Sequence, residues 1–476
     1  MTEPPLHVAP RLRARERVVV HVDSPAARWL GALALLIAAS WLVTLVARSH
    51  HHANWHADGR LAWSLTILAG VTLIARGIYL GRPVTAAHAG AAALTVLAGF
   101  GAHIVASDVL GNVLIAFSGL VLMWPTSMRP QPEELPRVWA LVDKTSGDPV
   151  APFAMLAHKS YHFTADGSAA IAYRTRLGYA VVSGDPIGEQ DRYQELVADF
   201  AAMCHAHGWR VVVLGCSQRR LGLWSDPAIV GQTLRPVPIG RDVVIDVPAF
   251  DMVGRRFRNL RQAVQRTRNF GITTEIVAEQ DLDDAQIAEL TDVLLSSPKG
   301  SRSERGFSMI LDGALTGRYP GILLIVARDS TGRVQGFHRY ALAGAGSDVT
   351  LDVPWRRRGA PNGIDERLSV DMIAAMKKAG AQRLSLAFAA FPEIFNDKER
   401  GPLSSFFYTA IHLGDALIAL ESLYRYLRKF HALADRRYVL LSYSQVLPLL
   451  VVLLSLEFMP RRRQLTAAMA SASASH

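Results

Sequence analysis

Most of the strongly apolar sequence in this 476-residue chain falls before residue 125, in four stretches: residues 28–47, 61–80, 84–106 and 109–124. A helix needs about 20 residues to cross the hydrocarbon core of a bilayer, and the first three stretches reach that length. The fourth is shorter and is punctuated by Gly111 and Gly119. The pattern predicts a transmembrane region over residues 28–124 with about four helices. Arg76, near the end of the second stretch, is placed to reach the interface with its charge. The first run is too long, and its flanks too polar, for a cleaved signal peptide. Cations in short loops stay on the cytoplasmic side. Arg11, Arg13, Arg15, Arg17 and Arg28 therefore make residues 1–27 a basic cytosolic arm, and four spans return the chain to the cytosol. His50, His51, His52 and His56 fall in the first external loop and read as a solvated polar segment.

Residues 125–136 hold four prolines and mark a linker that breaks helix. Beyond it the pattern alternates between strand and helix periods. Strands are predicted at residues 171–173, 179–182, 210–214, 242–247, 273–277, 321–328, 334–343 and 383–388. Helices are predicted over residues 191–207, 252–270, 283–295 and 363–379. The rhythm divides the α/β region into two units of similar size, 137–245 and 246–440. The apolar run over residues 438–458 predicts a membrane-associated helix at 441–460, lying at the interface or partly inserted. Residues 461–476 read as a low-complexity disordered tail.

Lysine and arginine outnumber aspartate and glutamate by 51 to 41, a balance that suits anionic partners. The two cysteines, Cys204 and Cys216, form no CxxC pair, so they read as small buried apolar residues rather than as zinc ligands or a disulfide framework. No phosphate-binding P-loop, HExxH, GxSxG or dinucleotide fingerprint is present. Ser183-Gly-Asp-Pro-Ile-Gly reads as a turn, and Arg219-Arg-Leu-Gly-Leu-Trp is only a partial match to an acyl-CoA pyrophosphate loop.

Three constellations carry chemistry. Arg255, Arg256, Arg258, Arg261, Arg266 and Arg268 fall in a stretch with no acidic residue between Asp251 and Glu275. On a helix, Phe257, Leu260 and Val264 form its apolar stripe, and Arg258 and Arg261 share another face. Such a face suits phosphate, in tRNA backbone or lipid headgroup. The alternative is a solvated face countered from elsewhere in the fold. In the second constellation, Leu351-Asp-Val-Pro-Trp-Arg-Arg-Arg-Gly-Ala-Pro-Asn-Gly joins an acid, a basic cluster and a turn that opens a helix. An acid can hold an ammonium group, and arginines can hold phosphate or a developing oxyanion. An ordinary loop is the competing reading. The third is the basic and aromatic segment 424–438, which either contacts substrate or seats the apolar segment that follows.

These pieces resemble, in order, the phosphatidylglycerol lysyltransferase family, the C-terminal domain of the multiple peptide resistance factor. The matching elements are Tyr173-Arg and Ser183-Gly-Asp-Pro-Ile-Gly, Asn259-Leu-Arg-Gln-Ala-Val, Glu304-Arg-Gly-Phe-Ser-Met, and Asp352 with Arg356-Arg357 and Ala360-Pro-Asn-Gly. Ser385-Leu-Ala-Phe-Ala, Lys429-Phe and Arg437-Tyr438 complete the series, which covers residues 140–440. The resemblance implies two tandem acetyltransferase-like (GNAT-like) folds. It also implies transfer of an aminoacyl group from charged tRNA to phosphatidylglycerol, with no metal and no cofactor. Under it Asp352 and Glu304 hold the aminoacyl ammonium, while Arg356 and Lys429 hold phosphate or the ester carbonyl. Lys299, Phe307, Trp355, Arg357, Asn362, Gly363, Glu366, Arg437 and Tyr438 are the further substrate contacts. The chain departs from the family pattern at Trp355, where an arginine is usual, and at Ala387, Ala432 and Ala434. An aromatic residue at 355 suits an apolar or differently shaped donor. Expected partners are aminoacyl-tRNA, an anionic phospholipid and the membrane, with further copies of the chain a possible oligomer.

Three other readings remain open on the residues. An acyl-CoA-dependent acyltransferase would need a pantetheine-binding loop. A catalytically reduced lipid-binding module would fit the substitutions at 355, 387, 432 and 434. A transporter would need polar groups within the spans, where Arg76, His88 and His103 are the few candidates.

Overall fold

The computed structural model describes residues 18–20, 25–50, 59–105, 108–297, 311–390, 424–442 and 446–458. The first four helices take up the apolar quarter: α1 (Pro25–His50), α2 (Gly59–Tyr79), α3 (Ala86–Ile104) and α4 (Asp108–Leu122). Helix α1 packs on α2, and α4 packs on both α2 and α3. Glycines let the backbones approach, as small residues do between helices in lipid. A Cβ on Gly119 would lie 2.6 Å from the Gly70 carbonyl oxygen, and one on Gly111 2.9 Å from that of Gly99. The outward faces are apolar and exposed, with Trp29, Leu33, Ile37, Leu94, Leu97, Phe100, Val113 and Phe117 among them. Among the described residues, two segments are long and apolar enough to cross a membrane, Ala62–Tyr79 and Ala86–Ile104. Helix α4 has 15 residues and falls short of a full span.

A short ladder, β1 (Val18–Val20) with β2 (Val84–Thr85), closes the helical region. Arg82 donates to the Met123 carbonyl at 3.0 Å, and Trp209 Nε1 donates to the Thr126 carbonyl at 2.9 Å, so the start of the linker is fastened to both regions. The linker does not break helix throughout. Pro136 sits in the first turn of α5 (Leu135–Lys144), where its missing N–H costs nothing.

One twelve-stranded sheet organises the rest. Its first half holds β3 (Ser160–Phe163), β4 (Ala169–Arg176), β5 (Tyr179–Ser183), β6 (Ile187–Gly188) and β7 (Arg210–Ser217). Helix α6 (Tyr193–Ala206) connects β6 to β7, and the single turn α7 (Pro227–Val230) leads out of this half. The second half holds β8 (Arg235–Asp246), β9 (Thr273–Ala278), β10 (Ile322–Arg328), β11 (Val334–Ala343), β12 (Asp348–Arg356) and β13 (Arg383–Ala390). The last strand, β14 (Leu433–Leu441), lies between β7 and β8 and joins the halves. The order is β3-β4-β5-β7-β14-β8-β13-β12-β11-β10-β9, with β6 beside β4. Pairing is antiparallel except at β5/β7 and β12/β13. The β12/β13 ladder ends after Thr350 opposite Ser385, and the strands part there.

Strand alternation assigns the two faces. Ile325 and Ala327 of β10 pack under α8 (Arg258–Asn269) and α10 (Ile364–Lys378). Leu324 and Val326 face α9 (Asp284–Ser296) on the other side. In the first half, α6 covers Ala169, Ile171 and Tyr173, while Val138, Leu141 and Val142 of α5 cover Ala170 and Ala172. The α5 layer also holds Tyr319, Ile322, Ala341 and Ala343 from the second half, so the two units share a core. Cys204 and Cys216 are buried free thiols.

The C-terminal apolar run begins as the end of β14, through Leu441. The 13-residue helix α11 (Val446–Phe458) follows, within the bounds 441–460 expected for a helix. Leu449, Val452 and Leu456 of α11 pack onto Val181, Val212 and Val439 of the sheet.

Candidate active site

A cleft of about 560 Å³ opens where β12 ends and α10 begins. Gly363 is the N-cap of α10 at φ 102°, a conformation that favours glycine. A side chain there would also meet α8, since a Cβ would lie 2.7 Å from the Ala263 carbonyl oxygen. The cleft brings together Arg356, Asn362, Gly363, Glu366, Lys429 and Arg266, six residues singled out from the sequence. Lys429 forms an ion pair with Glu366, and Arg356 bonds Asp365 at 3.2 Å. Arg266 and Arg425 add positive charge, and Asn259 and Gln262 add amide groups. The N-terminus of α10 contributes partial positive charge of its own. The cleft thus gathers cationic side chains, amide groups and a helix N-terminus around one opening.

Helix α8 walls the cleft and, with the 3₁₀ turn Arg255–Phe257 before it, carries the arginine series. Phe257, Leu260 and Val264 are buried as the stripe requires, and all six arginines are exposed. Among the described residues no carboxylate forms an ion pair with any of the six. Arg261 is engaged locally, donating to the carbonyls of Met252 and Gly254. Arg256 lies over the Phe257 ring at 4.8 Å.

Asp352 and Trp355 are not among the residues that line this cleft. Opposite β11, Arg339 pairs with Val353 and Tyr340 with Leu351, so Asp352 is the extra residue of a bulge. Its carboxylate is fully buried, accepting from Leu311 N and from Arg339 Nη1, each at 2.9 Å. Arg339 also bonds Glu279 at 2.9 Å, which completes a buried acid–base–acid triad. Burial pushes the Asp352 carboxyl up to about 6 against the pull of Arg339. Trp355 is 2% exposed and packs on Phe337 at 5.0 Å, beneath α9. Arg357 turns away from the cleft to Asp292 of α9 and to the Val334 carbonyl. Lys299, Glu304 and Phe307 lie outside the described residues.

Arg437 and Tyr438 belong elsewhere. Arg437 is 1% exposed, at the centre of a second cleft of about 600 Å³ between the halves of the sheet. It donates to Asp148 at 2.5 Å, Asp242 at 2.7 Å and the Gly215 carbonyl at 3.0 Å, with Asp185 at 3.6 Å. Burial opposes its charge, but Asp148, Asp242 and Asp185 outweigh that and hold it above the usual arginine range. Asp185 lies in the turn after β5, so the family-like Gly-Asp-Pro and Arg-Tyr elements meet here. Tyr438 is half-buried in the ladder between Cys216 and Pro238. The partial pyrophosphate-loop match is a 3₁₀ helix, Gln218–Trp224, with Trp224 buried in the core.

Sequence reasoning missed the floor of the first cleft. His338 is wholly buried on β11, with Nε2 at 3.2 Å from Asp365 Oδ1. Its Nδ1 lies 3.5 Å from both Ser369 Oγ and the Tyr340 hydroxyl. Ser369 Oγ is 2.5 Å from the hydroxyl of Tyr426, which lines the cleft. The signal in the sequence is a His-Arg pair inside the otherwise apolar alternation of β11. Among the described residues, no group of three or more His, Cys, Asp or Glu is arranged to hold a metal.

A helix-flanked mixed sheet with one parallel strand pair in each half, β5/β7 and β12/β13, resembles the acetyltransferase-like fold of acyl-group transferases. The family model described as "Phosphatidylglycerol lysyltransferase, C-terminal" matches residues 139–441. The chain belongs to that transferase family. It is 69% identical over 462 residues to the "MprF-like domain protein Rv1619" of Mycobacterium tuberculosis, covering 97% of this chain and 96% of that one. It is 30% identical over 289 residues to the "Lysylphosphatidylglycerol biosynthesis bifunctional protein LysX" of Rhodococcus jostii, covering 60% of this chain and 25% of the longer relative. "The structure of L-PGS from Bacillus licheniformis" matches with a TM-score of 0.57 at 19% identity, over 70% of this chain and 98% of that one. The C-terminal domain of a putative lysylphosphatidylglycerol synthetase from Agrobacterium fabrum matches with a TM-score of 0.56 at 21% identity, over 68% and 97%.

Proposed function

We propose that this protein is a membrane-bound aminoacyltransferase. It moves an aminoacyl group from charged tRNA to phosphatidylglycerol or a related anionic lipid. The N-terminal helices hold it in the bilayer as a multi-pass anchor, with the α/β region on the cytoplasmic side, where charged tRNA is found. The observation that carries this reading is the basic cleft walled by α8, whose arginines have no carboxylate partner among the described residues. The apolar outer faces of α1 to α4 support the anchor, because such surface is stable in lipid and costly in water.

The chemistry asks for positioning more than for a reactive group. The donor is already an activated ester, and a lipid hydroxyl attacks its carbonyl carbon. Arg356 and Lys429 are placed to stabilise the oxyanion that forms, and Arg266 and Arg425 to hold a phosphate beside it. Their charge is partly pre-balanced by Asp365 and Glu366, which keeps the side chains oriented before substrate arrives.

Mass spectrometry of lipid extracts from cells with and without the gene tests the function. A new aminoacylated phosphatidylglycerol species is the expected result, and its mass increment names the amino acid. An acyl rather than aminoacyl increment would point to an acyl-CoA donor. An unchanged lipid profile in an expressing host would leave a lipid-binding module as the better account.

A further inference from the structure

Four polar groups lie together beneath the cleft in surroundings that are otherwise apolar. His338 and Ser369 are fully buried, next to Tyr340 and Leu368 of the core. Buried polar groups are costly unless each is paired. Here they pair as a chain in which every donation can run the same way. Arg356 forms an ion pair with Asp365 at 3.2 Å, and His338 Nε2–H can donate to the other carboxylate oxygen at 3.2 Å. That tautomer leaves the Nδ1 lone pair facing Ser369 Oγ at 3.5 Å. Tyr426 in turn can donate to Ser369 Oγ at 2.5 Å. Tyr340, 3.3 Å from Ser369 Oγ, steadies the junction. The chain links two residues that line the cleft, Asp365 and Tyr426, the latter with its hydroxyl turned to Ser369.

We infer that Asp365, His338, Ser369 and Tyr426 form a proton relay that serves the transfer reaction, an inference that rests on the function proposed above. The lipid hydroxyl attacks the ester carbonyl carbon, and the new C–O bond forms as its proton passes to Tyr426 Oη. Tyr426 gives its own proton to Ser369, and Ser369 gives its proton to His338 Nδ1. Asp365 holds the resulting imidazolium. When the ester C–O bond breaks, the same path runs backwards and delivers one proton to the leaving ribose oxygen. No oxidant, reductant or metal enters, and the enzyme ends as it began. Tyr426 is the catalytic residue of the set. Ser369, His338 and Asp365 act through it and are positioning residues.

Among the described residues, the charged and titratable groups around His338 include Asp365 of α10, Arg356 of β12, Tyr340 of β11 and Tyr426. The ion pair of Glu366 and Lys429 lies in the same cleft.

The test uses the full chain in phosphatidylglycerol vesicles, with total tRNA charged with labelled amino acids as donor. Tyr426→Phe and Ser369→Ala are each expected to lower kcat about 100-fold with little change in KM, the scale of a lost general acid–base group. His338→Gln is expected to lower kcat with little change in KM and to straighten the proton inventory, which a merely structural role would not do. Near-UV circular dichroism checks that the variants fold. A proton inventory on the wild type needs no variant, and a bowed plot means that more than one proton moves. If the wild type makes product while the variants keep its kcat, or the wild-type inventory is linear, the relay is overturned and the transferase reading stands. If the wild type makes no product, both fall.

Discussion

At the scale of single residues, Asp352 has its side-chain direction set by a bulge. The register slips by one between Arg339 and Tyr340, and the extra residue turns its carboxylate inward to Arg339. Asp352→Asn removes a charge-assisted acceptor from Arg339, while Glu279 still balances its charge. The variant is expected to cost about 1.5–3 kcal/mol of stability, the scale of a hydrogen bond to a charged group, read by denaturant unfolding of the full chain in detergent. A variant that unfolds like the wild type but has lost turnover would return Asp352 to the substrate. The same residue carries a pH signature. Its folded value of about 6 lies above the ordinary carboxylate value, so the fold binds the proton more tightly than the unfolded chain does. Its contribution to stability is full below about pH 4 and is lost as pH rises through about 6. The Asn variant should lack that slope.

At the scale of elements, α8 is the clearest case of sequence announcing structure. Its apolar stripe and its arginine series are both legible, because period and charge are local properties. Reversing Arg255, Arg258 and Arg268 together to glutamate should weaken tRNA binding. It should also flatten the dependence of affinity on salt by about 0.7–0.9 in the log–log slope for each phosphate that the variant no longer neutralises. Filter binding over a salt series measures this, and equal slopes for variant and wild type would count against the phosphate role. Arg261 is the wrong choice for such a test, because it holds the Met252–Gly254 turn. Other elements are hidden for identifiable reasons. Helix α5 is masked by Pro136, because proline ends helices in their interior but is tolerated in the first turn. Strand β14 begins Leu433-Ala-Asp-Arg-Arg and shows no apolar alternation there. Its Arg437 is buried only because Asp148 and Asp242 arrive from far along the chain. The site is half legible. Arg356, Glu366 and Lys429 stand in recognisable segments, whereas His338 and Ser369 gain meaning only from folding β11 against α10.

At the scale of the whole molecule, β14 makes the two halves one body. It pairs β7 on one side and β8 on the other, and Arg437 ties it to acids from both halves. The α5 layer spans them as well. The α/β region should therefore melt in a single cooperative transition, with calorimetric and van't Hoff enthalpies equal. Two resolved transitions in differential scanning calorimetry would mean that the halves are separate folding units.

The position of that strand also bears on synthesis. Strand β8 is complete at residue 246, yet its neighbour in the sheet starts at Leu433. At cellular translation speeds the gap of roughly 190 residues lasts about 10–40 s. For that time the nascent chain carries two unpaired strand edges, the kind of surface to which other chains add. Their first native cover is the last strand of the sheet to leave the ribosome.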